Sequence, residues 1–428
     1  MRRFFRIFDY ALVTAVILLL SRSGIFLDTP LDRIHILAED YGFDFFSWTL
    51  DASWIKLSQN VIGVPRYQSQ AEQHEIVLEY LDVVGQIEQV ENKINLVYAD
   101  PGVKDHESAS AALRGQLANL TRRQDEVAPF AESVLQQQVA TVLQDEGLTS
   151  GGQPIPWVLY HISPLPQDLI VSRRDKVEQI TSYQLEPDLT VKQAIGLEGT
   201  VDQKLGVSTL VVPIGGLATY PTMIMRTTAL DWLASTISHE WTHLYLGQRP
   251  LGINYDTSPE LRTMNETTAS IAGNEIGTIV MARYYPERVK ASLPAPQLVS
   301  YSTASARPAD PPPFDYRAEM HETRVTADAL LSQGKIAEAE AYMEARRQVF
   351  WEHGYAIRKL NQAFFAFYGA YADTPGGAAG EDPVGPAVRA LRARSPSLPA
   401  FLERISQMSS FAELQQAVGP ASSLPTGF

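Results

Sequence analysis

The chain has 428 residues, 45% of them hydrophobic and 20% charged, enough for a sizeable core and several packed units and too apolar for wholesale disorder. Asp and Glu total 49 against 35 Lys and Arg, a formal charge of −14 that repels phosphate backbones and argues against nucleic acid as a partner. With no cysteine, disulfides, thiolate metal sites and cysteine nucleophiles are excluded, so any metal must be held by carboxylates and the eight histidines.

Arg2, Arg3 and Arg6 are followed by an apolar run from Tyr10 to Leu20, in which Thr14 is the one clearly polar residue. Such a run rises about 16 Å as a helix, short of a hydrocarbon core of about 30 Å. The wider stretch from Ile7 to Leu27 spans if Asp9 and Arg22 reach opposite interfaces. Residues 1–30 are therefore expected to be an uncleaved membrane anchor. A signal peptide cleaved near Ser21 or Ser23, or a buried helix, are the alternatives. The early arginines hold the start in the cytoplasm, so the first two readings put the rest of the chain outside it.

Tyr41, Phe43, Phe45, Phe46, Trp48 and Trp54 crowd the segment from Ala38 to Leu57. Its charges are mostly acidic, a poor match for anionic lipid, so packing inside the protein is expected rather than a place in the membrane interface. Apolar residues then recur at 4,3 spacing through Ile76, Tyr80, Val83, Ile87, Val90, Ile94 and Val97, and again from Leu113 to Val134. Asp100-Pro101-Gly102 between them is a turn signal. Two heptad helices read as an antiparallel hairpin within a helical region, 31–150. It could form a stalk, a homodimer seam or one side of a helical domain, with Pro129 weakening a continuous coiled coil.

Gly147 to Pro156 is a loop-like boundary. Short β-type runs follow: Trp157 to Ile162, Leu169 to Ser172, Val207 to Pro213 and Leu217 to Met225, interrupted by a helical stretch from Val191 to Leu205. This is the pattern of an α+β unit, 151–292. A Pro-rich loop, 293–315, leads to a second helical part, 316–428.

The chemistry is concentrated at residues 239 to 243, His-Glu-Trp-Thr-His. Leu230, Leu233, Ala234, Ile237, Trp241 and Leu244 form one apolar stripe around it, Thr228 and Asp231 suggest a capping box, and Gly247 stands where a helix would end. His239 and His243 are four apart on one helical face, the spacing at which two imidazoles meet one zinc, and Glu240 can reach a water on that ion. A third ligand is needed. Ser258, Pro259 and Pro286 frame a second helix carrying two carboxylates, Glu266 and Glu275. Nine residues apart, they face opposite sides. Ser270, Gly273 and Gly277 share the Glu266 side and would let the two helices approach closely, so Glu266 is the expected ligand.

At this point the chain resembles the gluzincin zinc metallopeptidases. Asn265-Glu266 with Ile271 and Gly273 resembles the thermolysin-type N-E-x-x-x-D-I-x-G helix, and equally the N-E-x-x-A pattern of bacterial membrane-anchored aminopeptidases. The resemblance covers about Leu217 to Ile279. One departure is Ser270, where the family places an Asp that orients the first histidine. The resemblance implies a zincin-like catalytic domain; with the elements read above, the expected fold is a mainly helical α+β one with a small mixed sheet, after an N-terminal helical hairpin and a membrane anchor. It implies Zn2+ as cofactor and a peptide or protein substrate, with Glu240 taking a proton from the activated water. Gluzincins usually stabilise the oxyanion with a downstream Tyr or His; His321, Tyr255, Tyr368 and Tyr371 are the candidates here. The run from Leu217 to Met225 corresponds to the edge strand on which such enzymes bind extended peptide.

The other histidines (His35, His74, His106, His161 and His353) lack metal spacing and are expected to be structural. Lys359 to Phe367 reads as helix core, with Asn361 a candidate for the cleft, and Ala337 to Arg346 as a solvated helix face. An acidic surface hints at basic or neutral substrates. The competing reading is a membrane-tethered scaffold or sensor in which the zincin domain is a non-catalytic binding module.

Overall fold

The computed structural model describes residues 30–62, 67–99, 103–289, 314–372 and 376–419. The expected anchor, the Asp100-Pro101-Gly102 turn and nearly all of the Pro-rich loop lie outside them. Among the described residues no helix is long and apolar enough to cross a membrane.

The described residues are mainly helical, with two small sheets. Helices α1 (Pro30–Ala38) and α2 (Phe45–Ile62) precede two long ones, α3 (Gln70–Ala99) and α4 (His106–Asp145). The Asp105 carboxylate caps α4 by accepting the Ser108 N–H, and the helix runs on through Pro129. Of the heptad positions, Ile94, Val97, Leu113, Leu117 and Leu120 are half-buried, whereas Tyr80 of α3 and Val127, Ala131 and Val134 of α4 sit in the largest core. They share it with residues of α6 (Leu230–Gly247) and α8 (Pro259–Tyr284), the two helices of the histidine motif and the third carboxylate. The aromatic segment departs from expectation. Trp48 is tucked in, its indole donating to Ser163, but Phe46, Leu50 and Trp54, one turn apart on α2, are exposed.

The strands are β1 (Tyr160–Ile162), β2 (Gln167–Ser172), β3 (Gln179–Leu185), β4 (Ser208–Pro213), β5 (Gly216–Leu217) and β6 (Thr222–Ile224). Helix α5 (Val191–Leu205) lies between β3 and β4, where helical periodicity placed it. One sheet is antiparallel in the order β3-β2-β4; the other is mixed, in the order β1-β6-β5, with β1 parallel to β6. The run from Leu217 to Met225 is therefore two strands, and the outer one is β5. This mixed sheet packs on α6 and brings Gly216 to the site.

Short α7 (Pro250–Ile253) links α6 to α8. The later helices are α9 (Tyr316–Ser332), α10 (Ile336–Glu352), α11 (Gln362–Tyr368), α12 (Val384–Arg394), α13 (Leu398–Ser406) and α14 (Phe411–Val418). Helices α9 to α11 form a second core with Ile170, Leu210 and Val212 of the antiparallel sheet, while α12 to α14 close the main core. Asn361 does not face the cleft. It caps α11, accepting the Phe364 N–H, and its amide donates to the Thr209 carbonyl.

Candidate metal centre

Helix α6 is held by what its apolar stripe buries. Leu233, Ala234, Ile237 and Trp241 are all buried, and the Trp241 indole donates to the Pro156 carbonyl at 2.7 Å. The expected capping box does not form: Ala229 is the N-cap residue and has no side-chain cap, while the Thr227 hydroxyl oxygen accepts the Ala229 N–H. Helix α8 starts as expected, with Ser258 accepting the Leu261 N–H and Pro259 in the first turn.

These two helices make the most extensive helix contact in the fold, and their small residues allow it. A methyl group on Gly273 would lie 2.7 Å from the Ser235 carbonyl oxygen and 2.9 Å from Cβ of His239. One on Gly277 would lie 2.8 Å from Cα of Ser235. The backbones touch at the level of the first histidine.

That approach converges three donors. Nε2 of His239 and of His243 are 3.0 Å apart and lie 3.6 and 3.5 Å from Oε2 of Glu266. Among the described residues this is the group of three that could hold a metal ion. The fit is supported by Glu266 itself: its Oε2 is shut off from solvent and has no hydrogen-bond partner, although leaving a buried carboxylate oxygen unsatisfied is costly. Two imidazole nitrogens and one carboxylate suit zinc with a position left open.

The supporting contacts are specific. Nδ1 of His243 donates to Oδ1 of Asn265 at 2.7 Å, which turns its Nε2 toward the centre. The Tyr255 hydroxyl donates to Oε1 of Glu266 and leaves Oε2 for a metal. The ring of His239 stacks against Tyr371, with centroids 6.5 Å apart and planes at 25°. Tyr371 thus flanks His239, and Ser270 makes no hydrogen bond to that histidine.

Glu240 is buried beside the cluster. Its carboxylate is pressed by Gly216, where a methyl group would come within 2.8 Å of the Glu240 Cδ. Burial pushes the Glu240 carboxyl above the ordinary carboxylate range, against the pull of the two histidines. Burial also opposes the charged forms of His243 and Glu266, but their mutual attraction wins. His243 is pushed up to about 9 and Glu266 is held well below the usual carboxylate range.

Of the other carboxylate and oxyanion candidates, two reach the site and three do not. Glu275 faces away and forms a two-bond ion pair with Arg392 of α12, at 2.7 and 2.8 Å. His321 pairs with Glu381, and Tyr368 packs among Phe364 and Phe367. Tyr255 is committed to Glu266, and Tyr371 flanks His239. Sequence reasoning gave no role to Asn265, Gly216 or Arg262. The first was signalled by its place next to Glu266; the other two had no sequence signal.

No known protein family, characterised protein or solved structure matches this chain. The arrangement of His239, Glu240, His243 and Glu266 is that of a gluzincin-type HExxH…E zinc-metallopeptidase active site, set in a mainly helical α+β chain.

Proposed function

We propose that the chain hydrolyses peptide bonds with a zinc ion held by His239, His243 and Glu266. The observation that carries this reading is the unpartnered Oε2 of Glu266 facing two imidazole nitrogens, with Glu240 buried alongside. Zinc bound there supplies Lewis acidity and lowers the pKa of a coordinated water toward 7. Glu240 is the general base. Its desolvated carboxylate has a raised proton affinity, so it can accept a proton from the attacking water and pass it to the leaving amine. Gly216 holds that carboxylate from the strand side. Asn265 and Tyr255 keep His243 and Glu266 in their ligating orientations.

Tyr371 is the proposed oxyanion donor. Burial, reinforced by the charge of Glu266, raises its hydroxyl well above the ordinary phenol value, so it keeps a proton to donate. Strand β5 ends its sheet beside Glu240 and offers an extended peptide an edge. The apolar segment from Tyr10 to Leu20 would tether the enzyme, with Arg2, Arg3 and Arg6 leaving the catalytic part outside the cytoplasm, as in bacterial cell-envelope peptidases.

The decisive test is Glu240→Gln, which removes the base and keeps the shape. It is expected to bind zinc like the parent protein and to lose about 10²- to 10⁴-fold in hydrolysis of a peptide panel. Full activity in this variant would overturn the mechanism.

A further inference from the structure

Arg262, unlike four other half-buried arginines, has no carboxylate at contact distance among the described residues. Arg358 is bound to Glu198, Arg392 to Glu275, Arg346 to Glu319 and Arg324 to Asp328. Arg262 forms no ion pair with any described residue, and its Nε is shut off from solvent without an acceptor. It lies on α8 one turn before Glu266, so the two side chains share a face of the helix. Its guanidinium carbon sits 5.4 Å from the centre of the Tyr255 ring, the tyrosine that holds Glu266. Glu266 on the same helix, Asp168 on β2 and the neutral phenol of Tyr371, which stacks on His239, are near enough to act on it electrostatically. These neighbours place the guanidinium beside the metal centre.

A half-buried cation with an unmet donor is costly unless something completes it. Glu266 cannot do so, since its free oxygen faces the two histidines and its other oxygen is bonded to Tyr255. Asp168 belongs to the other sheet and stays beyond ion-pair distance. A planar guanidinium with a free fork matches a carboxylate, which it binds through two parallel hydrogen bonds. We propose that Arg262 binds a carboxylate of the peptide substrate beside the metal centre, either its terminal α-carboxylate or an Asp or Glu side chain. The inference rests on the hydrolytic reading of the same site, and it reverses the expectation of basic or neutral substrates drawn from net charge. The net charge reports the whole surface, whereas Arg262 acts locally, beside the metal centre.

The test uses the zinc-loaded full chain carrying Glu240→Gln, so that peptides bind without being cut. One pentapeptide is titrated calorimetrically in three forms: with a free α-carboxyl, as the C-terminal amide, and as the amide with one internal Glu. At least one carboxylate form is expected to bind about tenfold or more tightly than the neutral amide. Adding Arg262→Gln should bring the forms within about twofold of each other, with zinc content and circular dichroism unchanged. Arg262→Lys keeps the charge without the fork and should leave an intermediate preference. Preference for the free α-carboxyl marks an exopeptidase; preference for the internal Glu marks selection of acidic residues. Equal binding of all three forms overturns the proposal, as does a preference that survives Arg262→Gln. If Arg262→Gln fails to fold, an undiminished preference in Arg262→Lys overturns it. Carboxylate preference in a chain whose parent cuts no peptide would leave this site standing and sink the hydrolytic reading alone.

Discussion

Gly273 of α8 lies against the backbone of His239 of α6, so close that a methyl group on it would come within 3.0 Å of the His239 nitrogen. This contact sets the distance between the helix that supplies two ligands and the helix that supplies the third. Gly273→Ala should therefore act on the metal centre without touching a ligand. Alanine favours a helix interior by about 1 kcal/mol, but overpacking costs about 1–3 kcal/mol, so a net loss of stability is expected. Zinc affinity should fall with it. Gly199→Ala on α5, where the added methyl group meets nothing, is the control and should stabilise the chain by up to about 1 kcal/mol. Equilibrium denaturation and zinc titration of both variants check this; unchanged zinc affinity in Gly273→Ala would show that the helix spacing does not govern the site.

Asn265 should matter through His243 alone. It is buried, and its carbonyl oxygen accepts the Nδ1–H that leaves Nε2 free for a metal. Removing such a partner typically lowers metal affinity about 10- to 100-fold. Asn265→Ala should show that loss in competition with a zinc chelator, whereas Asn265→Asp, which keeps an acceptor in place, should retain most of the affinity. Equal losses in the two variants would point to a packing role for Asn265.

The parts of the site that were legible in the sequence are those set by one helix or by two neighbouring ones. The four-residue spacing of His239 and His243, the opposite facing of Glu266 and Glu275, and the small-residue stripe at Gly273 and Gly277 follow from helical periodicity alone. The rest needed tertiary structure. Tyr371 arrives from far along the chain, and Gly216 presses on Glu240 because a two-residue strand crosses α6. Strand β3 escaped notice because Gln179–Leu185 is largely polar and only Leu185 of it is buried. The capping box at Thr228 failed because the chain enters α6 from the β6 loop with Thr227, not Thr228, turned to the backbone. Arg262 drew no role from the sequence, since nothing local distinguishes an arginine beside a metal centre from one in water.

Zinc binding should depend on pH in a direction set by His243. In the metal-free centre, burial disfavours its imidazolium, but Glu266 more than offsets this and pushes the group up to about 9 from an ordinary value near 6.5. A folded-state value above the unfolded one stabilises the metal-free fold fully below about pH 6.5, and that contribution is lost as the pH rises through about 9. Glu266, held low, contributes above about pH 4.3, a contribution lost as the pH falls through its folded-state value. Zinc must displace the His243 proton, so its affinity should rise from pH 6.5 to pH 8.5. At a fixed excess of zinc, the rise in melting temperature over the metal-free protein should be larger at pH 8.5. Equal rises at both values would mean that no proton is released on binding.

The choice between the two carboxylates of α8 gives the sharpest test of the ligand set. Glu266 turns its unpartnered oxygen to the two histidines, whereas Glu275, on the other side of the helix, holds Arg392. Glu266→Ala should cut zinc affinity strongly, because two imidazoles alone leave the ion short of a ligand. Glu266→Asp should be intermediate, its carboxylate falling about one methylene short. Glu275→Ala should leave zinc affinity nearly unchanged and cost only about 0–1 kcal/mol of stability, since its pair with Arg392 is partly exposed. Circular dichroism must first show each variant folded. Equal zinc loss at both positions would mean that the helix transmits damage from either face. Loss confined to Glu275→Ala would mean that the ion sits on the wrong side of α8 for His239 and His243 to share it, and the HExxH…E reading would fail.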